Sequence, residues 1–260
     1  MVYGLTDQQV RTFETLMDAA WPAVERFDTG EWVLRAAAGV TQRANSVWPR
    51  GAAAEPQDAL RKAVQWYRTR RLPLIFQVTD TAANSVLNGV LDAQGFTRQS
   101  ETLIMARPAG CRTDVPAGAE VEILNGPTEE WLHLWWSLDG RGGGEERATA
   151  RAIVTGCPSL YALVRDDGGA PAAVARLALV DGTGGIYCMA TSPRHRRRGY
   201  ATAVLQALLS EGTARNLESF WLLVTAANPA AQQLYRQAGF EEAGRYVYRQ
   251  QRLQRALTGC

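Results

Sequence analysis

Apolar residues recur through residues 7–26 as Val10, Phe13, Leu16, Met17, Ala20 and Trp21, the three-to-four spacing of one helix face. Residues 31–38 and 41–48 predict two strands. Residues 56–71 predict a helix, with Glu55 and Asp58 at its start and cationic residues at its end, the order the helix dipole favours. Residues 74–78 predict a buried strand, 81–93 a helix and 96–106 a closing strand. From Arg107 to Gly118 the chain turns to proline, glycine and small residues, the composition of a seam. Beyond it the pattern predicts a strand at 120–124 and helices at 128–138 and 145–154, separated by a polar, glycine-rich loop. Strands follow at 160–164, 172–180 and 185–191, then a helix at 200–209, a strand at 220–225, a helix at 229–237 and a strand at 246–249.

The two halves echo one another. Residues 81–96 align without gaps on 225–240. Both segments open Thr-Ala-Ala-Asn, ending at Asn84 and Asn228, and both close Gly-Phe, at Gly95-Phe96 and Gly239-Phe240. Each follows a predicted buried strand and leads into another. Internal duplication is therefore expected, and 260 residues suit about two domains. The expected division is 1–112 and 113–260.

Composition narrows the classes. With 46% hydrophobic and 21% charged residues the chain is a folding one. No run approaches the ~18 unbroken apolar residues of a membrane span. A net charge of +2 supplies no general attraction for nucleic acid or acidic membranes. Of the 28 basic residues only Lys62 is lysine. Cys111, Cys157, Cys188 and Cys260 lack the paired spacing of a zinc site or disulfide framework, so a reducing cytoplasm is the expected location. Two histidines, His133 and His195, exclude a His-rich metal site.

Chemistry concentrates in residues 185–201. An apolar strand runs into the turn Thr191-Ser192-Pro193, then the basic loop Arg194-His195-Arg196-Arg197-Arg198, and Gly199-Tyr200-Ala201 opens an apolar helix. Amides at such a helix start are unpaired and point outward, and the dipole there favours an anion. Gly199 allows close backbone approach, and the arginines raise the local positive potential. Tyr200 is the one aromatic in the loop, too little interleaving for a nucleic-acid patch.

This run resembles the acetyl-coenzyme-A-binding signature of the GNAT superfamily of N-acetyltransferases. It reads Thr191-x-Pro193, then Arg196-x-x-Gly199-x-Ala201. A second family element follows in order: strand, Asn228, helix with Leu234-Tyr235, then Gly239-Phe240. The resemblance covers about 113–260 and reaches the first half only through the echo. It implies an α/β fold of α+β type, with two tandem GNAT-like domains. Each would hold a mixed, mostly antiparallel central sheet flanked by helices. The tandem layout resembles actinobacterial acetyltransferases of the mycothiol synthase kind. Thr191 stands where the family usually has valine. In the first half Val47-Trp48-Pro49 matches the strand end, but 50–55 lacks the arginine-glycine loop and Leu91 replaces Tyr235. The first half is thus expected to be a degenerate copy without a phosphate cradle.

Further roles come with the resemblance. Met189, Ala190 and Thr191 would pair with the pantetheine arm. Arg196, Arg197, Arg198, Gly199, Tyr200, Ala201 and Thr202 would hold the pyrophosphate, and Asn228 would add a cofactor contact to its cap. Tyr235 would protonate the leaving thiolate, which a phenol with pKa near 10 can do at neutral pH; a half-buried packing role is its plainer reading. The base stays open: residues 184–191 carry no acid, and Asp139, Glu145, Glu146 and His133 surround the expected acceptor loop. Trp131, Trp135 and Trp136 read either as core or as an aromatic acceptor wall. The expected activity is acetyl transfer from acetyl-CoA to a primary amine, on a small molecule more readily than on a protein. A non-catalytic acyl-CoA-binding module is the rival class. No metal, nucleic acid or membrane partner is expected, and a monomer is favoured because two halves in one chain mimic a dimer.

Overall fold

The computed structural model of the chain describes residues 6–81, 84–110 and 120–251. The expected boundary at 112/113 lies outside the described residues, as do Cys111 and Cys260. Eleven strands form one sheet: β1 (Glu25–Asp28), β2 (Trp32–Ala36), β3 (Val47–Pro49), β4 (Ile75–Thr79), β5 (Thr97–Pro108), β6 (Val121–Leu124), β7 (Ser159–Arg165), β8 (Pro171–Val180), β9 (Thr183–Thr191), β10 (Ser219–Thr225) and β11 (Glu241–Gln250). Their spatial order is β1-β2-β3-β4-β11-β5-β10-β9-β8-β7-β6. Neighbours are antiparallel except β3 with β4 and β9 with β10. Seven helices flank the sheet among the described residues: α1 (Asp7–Ala20), α2 (Pro56–Thr69), α3 (Ser85–Ala93), α4 (Glu129–Asp139), α5 (Gly144–Val154), α6 (Tyr200–Ala214) and α7 (Pro229–Gln237). The mixed, mostly antiparallel sheet of the sequence reading is present, and the two halves share it.

They share it by exchanging strands. β5 closes the first half yet pairs with β10, from Pro108 opposite Ser219 to Thr102 opposite Thr225. β11 closes the second half yet pairs with β4, from Thr79 opposite Tyr246 to Ile75 opposite Gln250. β5 and β11 also pair with each other at the centre. The correspondence between the halves holds in three dimensions. One constant spacing separates the starts of β4 and β10 (Ile75, Ser219), α3 and α7 (Ser85, Pro229), and β5 and β11 (Thr97, Glu241). The two helices also stop alike. Gly95 (φ +72°) and Gly239 (φ +84°) turn left-handed, and the next residue's N–H returns to the helix, Phe96 to Leu91 O and Phe240 to Tyr235 O, each at 3.0 Å.

Three local expectations change. The first helix ends at Ala20, not at 26, because Pro22 disfavours helical backbone at Trp21, and 25–28 becomes β1. The strand expected over 41–48 shrinks to β3, preceded by a 3-10 turn at Arg43–Asn45. Asn45 holds that turn, its amide donating to Val40 O and Thr41 O and accepting from the Ala37 and Gly39 N–H groups. The last strand extends to ten residues because β4 and β5 both pair with it.

Three cores among the described residues hold the layers. α1, α4 and α5 bury Met17, Trp21, Trp131 and Ile153 against one face of the sheet, across both halves. On the other face α2 and α3 cover one core and α6 and α7 another. No helix among the described residues is long and apolar enough to cross a membrane.

Candidate active site

β9 and β10 run parallel from Thr183 opposite Ser219 to Ile186 opposite Leu222, and then part. A bulge in β9 accompanies the parting. Tyr187 pairs with Arg176 and Ala190 with Val174, so Cys188 and Met189 together oppose Ala175. Cys188 takes φ +53°, a conformation costing an L-residue roughly 1–2 kcal/mol and held here by the pairing on both sides. β10 meanwhile follows β5 to Thr225. Beyond Ile186 the edge of β9 facing β10 has no strand partner among the described residues, and a cleft of about 440 Å³ opens there. This is where Met189, Ala190 and Thr191 were expected to receive an extended ligand. Met189 lines the cleft, Ala190 is buried behind it and Thr191 ends the strand half-buried.

α7 supplies the opposite wall. Asn228 caps it, Oδ1 accepting from the Ala231 N–H at 3.1 Å with Pro229 next in line. Two turns further, Tyr235 lies 7% exposed with its ring edge-on to Phe240 at 6.2 Å, and it lines the cleft. Packing and site role coincide in it. Burial, with the charge of Asp139 added, pushes its phenol up to about 12, so it is protonated at neutral pH. Burial likewise pushes the Cys188 thiol up to about 12, which leaves it no thiolate for nucleophilic chemistry.

The structure separates the four base candidates. Asp139, at the end of α4, lines the cleft and accepts from Trp135 Nε1 at 3.3 Å. Desolvation by the surrounding walls raises its pKa above the ordinary carboxylate value, opposed by the Trp135 N–H and by Arg43 and Arg141. His133 faces a different surface hollow with Glu129 and Arg147, Glu146 accepts from the Gly143 N–H at 2.7 Å, and Glu145 is exposed. The tryptophans divide too. Trp131 is core, its Nε1 shared between Ala162 O and Ala175 O, while Trp135 lines the cleft and Trp136 packs edge-on to it. The cleft's aromatic wall is thus Trp135 with Trp21, Tyr187, Tyr246 and Tyr248, and of the three tryptophans expected as a wall Trp135 lines it.

The basic loop stands at the start of α6. Arg194, Arg196, Arg197 and Arg198 are exposed. Buried His195 pins the turn, its Nε2 2.8 Å from Asp166 Oδ2 in the β7–β8 connection. Arg197 and Gly199 both take positive φ, +63° and +86°. The N–H groups of Gly199, Tyr200, Ala201 and Thr202 find no acceptor among the described residues, and a Cβ at Gly199 would meet nothing within 4 Å. Four converging donors facing open space beside arginines fit a phosphate group.

In the first half a hollow of about 330 Å³ at the start of α2 is lined by Glu55 and Asp58, and the gap between β3 and β4 is closed. There, ringed by Pro49, Arg50, Gly51, Thr79 and Asn84, the cavity is about 20 Å³. The buried Glu14 carboxylate from α1 fills it, accepting from Thr79 Oγ1 at 2.5 Å. Asn84 turns inward and donates to Thr79 O and Oγ1 rather than capping α3.

A sequence profile describing the C-terminal region of the probable histone acetyltransferase Rv0428c matches residues 7–249. The chain belongs to this family. It is an N-acetyltransferase of the GNAT type. The Bacillus subtilis N-acetyltransferase YobR is 27% identical over 243 residues, 92% of this chain and 98% of that one. The probable histone acetyltransferase Rv0428c of Mycobacterium tuberculosis is 31% identical over 175 residues, 59% of this chain and 53% of that one. Among solved structures, a GCN5-related N-acetyltransferase from Kribbella flavida superposes with TM-score 0.69 at 18% identity over 97% of this chain and 98% of that one. A tandem GNAT protein from the clavulanic acid biosynthesis pathway gives 0.65 at 14%, over 93% and 88%. The tandem layout has a counterpart there, while none of these names carries the likeness to mycothiol synthase.

Proposed function

We propose that the chain transfers an acetyl group from acetyl-CoA directly to a primary amine on a small molecule, at one site in its second half. The parting of β9 and β10 over a cleft that holds both Tyr235 and Asp139 carries this reading. The amides of Gly199, Tyr200, Ala201 and Thr202, with Arg196, Arg197 and Arg198 around them, would hold the pyrophosphate. The open edge at Met189, Ala190 and Thr191 would hold the pantetheine arm, and Asn228 would stand beside it. The bound thioester supplies the acetyl group and the leaving sulfur. Asp139 takes the proton that an ammonium must lose before nitrogen can attack. The Tyr235 hydroxyl gives a proton to sulfur as the C–S bond breaks, and the surplus proton of the acylated nitrogen restores the phenol. No covalent enzyme intermediate is needed. The first half, with its cavity closed by Glu14, binds no cofactor and instead lends walls to the acceptor side.

The test is thiol release from acetyl-CoA across a panel of amines, for the wild type and Tyr235→Phe. Release that depends on the amine, with kcat lowered about 10²–10⁴-fold in the variant and the acetyl-CoA KM within a few-fold, supports the reading. Release indifferent to the amine, or undiminished in the variant, overturns it.

A further inference from the structure

The cleft has a wall from the first half, and its chemistry differs from the rest. Arg43 projects from the turn that Asn45 ties down. Its guanidinium carbon lies 5.1 Å from the Trp21 ring centre and 5.3 Å from that of Tyr187, and these two rings stack at 5.2 Å. Arg43 is half-buried, and the fully buried arginines elsewhere, Arg107 with its bond to Ala238 O among them, reach partners. Arg35 reaches Asp18, Arg249 reaches Asp92, and Arg176 donates to Ala20 O, Ser159 Oγ and Cys157 Sγ. Arg43 has no carboxylate within ion-pair distance among the described residues, and its Nε has no hydrogen-bond partner. The Tyr187 hydroxyl in the same wall also lacks one. The guanidinium bonds to Tyr246 and feels the charge of Asp139, yet no carboxylate pairs with it, and a polar N–H left without a partner is costly.

Resting on the acetyltransfer reading, we propose that the acceptor amine carries a carboxylate, which Arg43 binds while Asp139 faces the amine. The planar fork of a guanidinium matches the two oxygens of a carboxylate, and Trp21 and Tyr187 keep it from swinging away. Aromatic walls beside it suit a hydrocarbon or aromatic body between the two charged ends. Two opposite charges in one cleft also fix the direction in which a zwitterion enters. The first half is then the specificity element of the enzyme: it gave up a cofactor site of its own and provides Arg43 to its neighbour's.

The experiment compares amino acids with their carboxamides and with the matching decarboxylated amines, using wild type, Arg43→Gln and Arg43→Lys. Thiol release is measured with acetyl-CoA, and thermal shift is measured with each compound alone and with acetyl-CoA alone. The expected result is kcat/KM at least tenfold higher for acids than for carboxamides. Arg43→Gln should erase that preference through KM and Arg43→Lys should keep part of it, with the acetyl-CoA shift unchanged in both. Thermal shift by the acids alone, absent for the carboxamides and lost in Arg43→Gln, supports the site even where turnover is slow. Carboxamides equal to acids in both measurements, while acetyl-CoA still stabilises the protein, would overturn the inference and leave acetyl transfer standing. Failure of acetyl-CoA to bind would instead remove the reading beneath it, and the carboxylate arm still gives its own answer.

Discussion

Asp139 and Tyr235 face one cleft with protonation states suited to opposite tasks. Asp139 must be ionised to accept a proton, and its pKa is raised by desolvation, so kcat/KM should climb with pH through a value above 3.8. Asp139→Asn should remove that limb and lower kcat about 10²-fold, read from the pH–rate profile. An unchanged profile would dismiss Asp139 as the base. Tyr235, held up to about 12, should add no loss of activity between pH 7 and 10. Glu14 makes a stability statement instead. Burial raises its pKa above the model-peptide value, so the folded state binds its proton more tightly than the unfolded chain does. Stability carried by this group is full below about 4.5 and falls as pH rises through its folded pKa. Glu14→Gln should therefore raise Tm at pH 7, with the gain shrinking as the pH falls towards 4.5. A loss at neutral pH would show that the charge is stabilising there.

At the scale of elements, the Trp135 N–H on α4 helps keep Asp139 ionised, and removing it has a definite sign. Trp135→Phe should move the acid limb of the profile to higher pH, at a stability cost of about 1–3 kcal/mol from lost packing. Helix and strand periods made most elements legible, and so did caps such as Asn228-Pro229 and stops such as Gly239-Phe240, because each is written in a few adjacent residues. The loop at Gly199 was legible for the same reason. Arg43 was not. It sits in a turn built by Asn45, and residues 41–48 carry enough apolar character to imitate a strand. Its neighbours Trp21, Tyr187, and Tyr246 with Tyr248 come from three distant segments, so no local pattern gathers them. The bulge at Cys188 was silent too, since a positive φ in a non-glycine residue leaves no mark in sequence.

At the scale of the molecule, the duplication was visible in the Thr-Ala-Ala-Asn echo, but the strand exchange was not. Pairing β5 with β10 rather than within its own half depends on long-range register, which no local signal encodes. It has a consequence for cooperativity. A fragment of residues 120–251 lacks the β5 partner along the whole of β10, exposing Leu222 and Val224 beside an unpaired edge. That fragment should not fold on its own, and the full chain should unfold in one calorimetric transition; two resolved transitions would mean that the halves are independent. The same exchange places one open cleft against one closed one. The direct test of that asymmetry is thermal-shift titration with acetyl-CoA, on wild type and on Gly199→Glu, which sets an anion where the cradle's amides converge. Wild type should gain stability with ligand concentration, by about 2.7 kcal/mol at a hundredfold excess over Kd, while the folded variant gains none. An equal response from both proteins would place the cofactor elsewhere and contradict a single cradle at the start of α6.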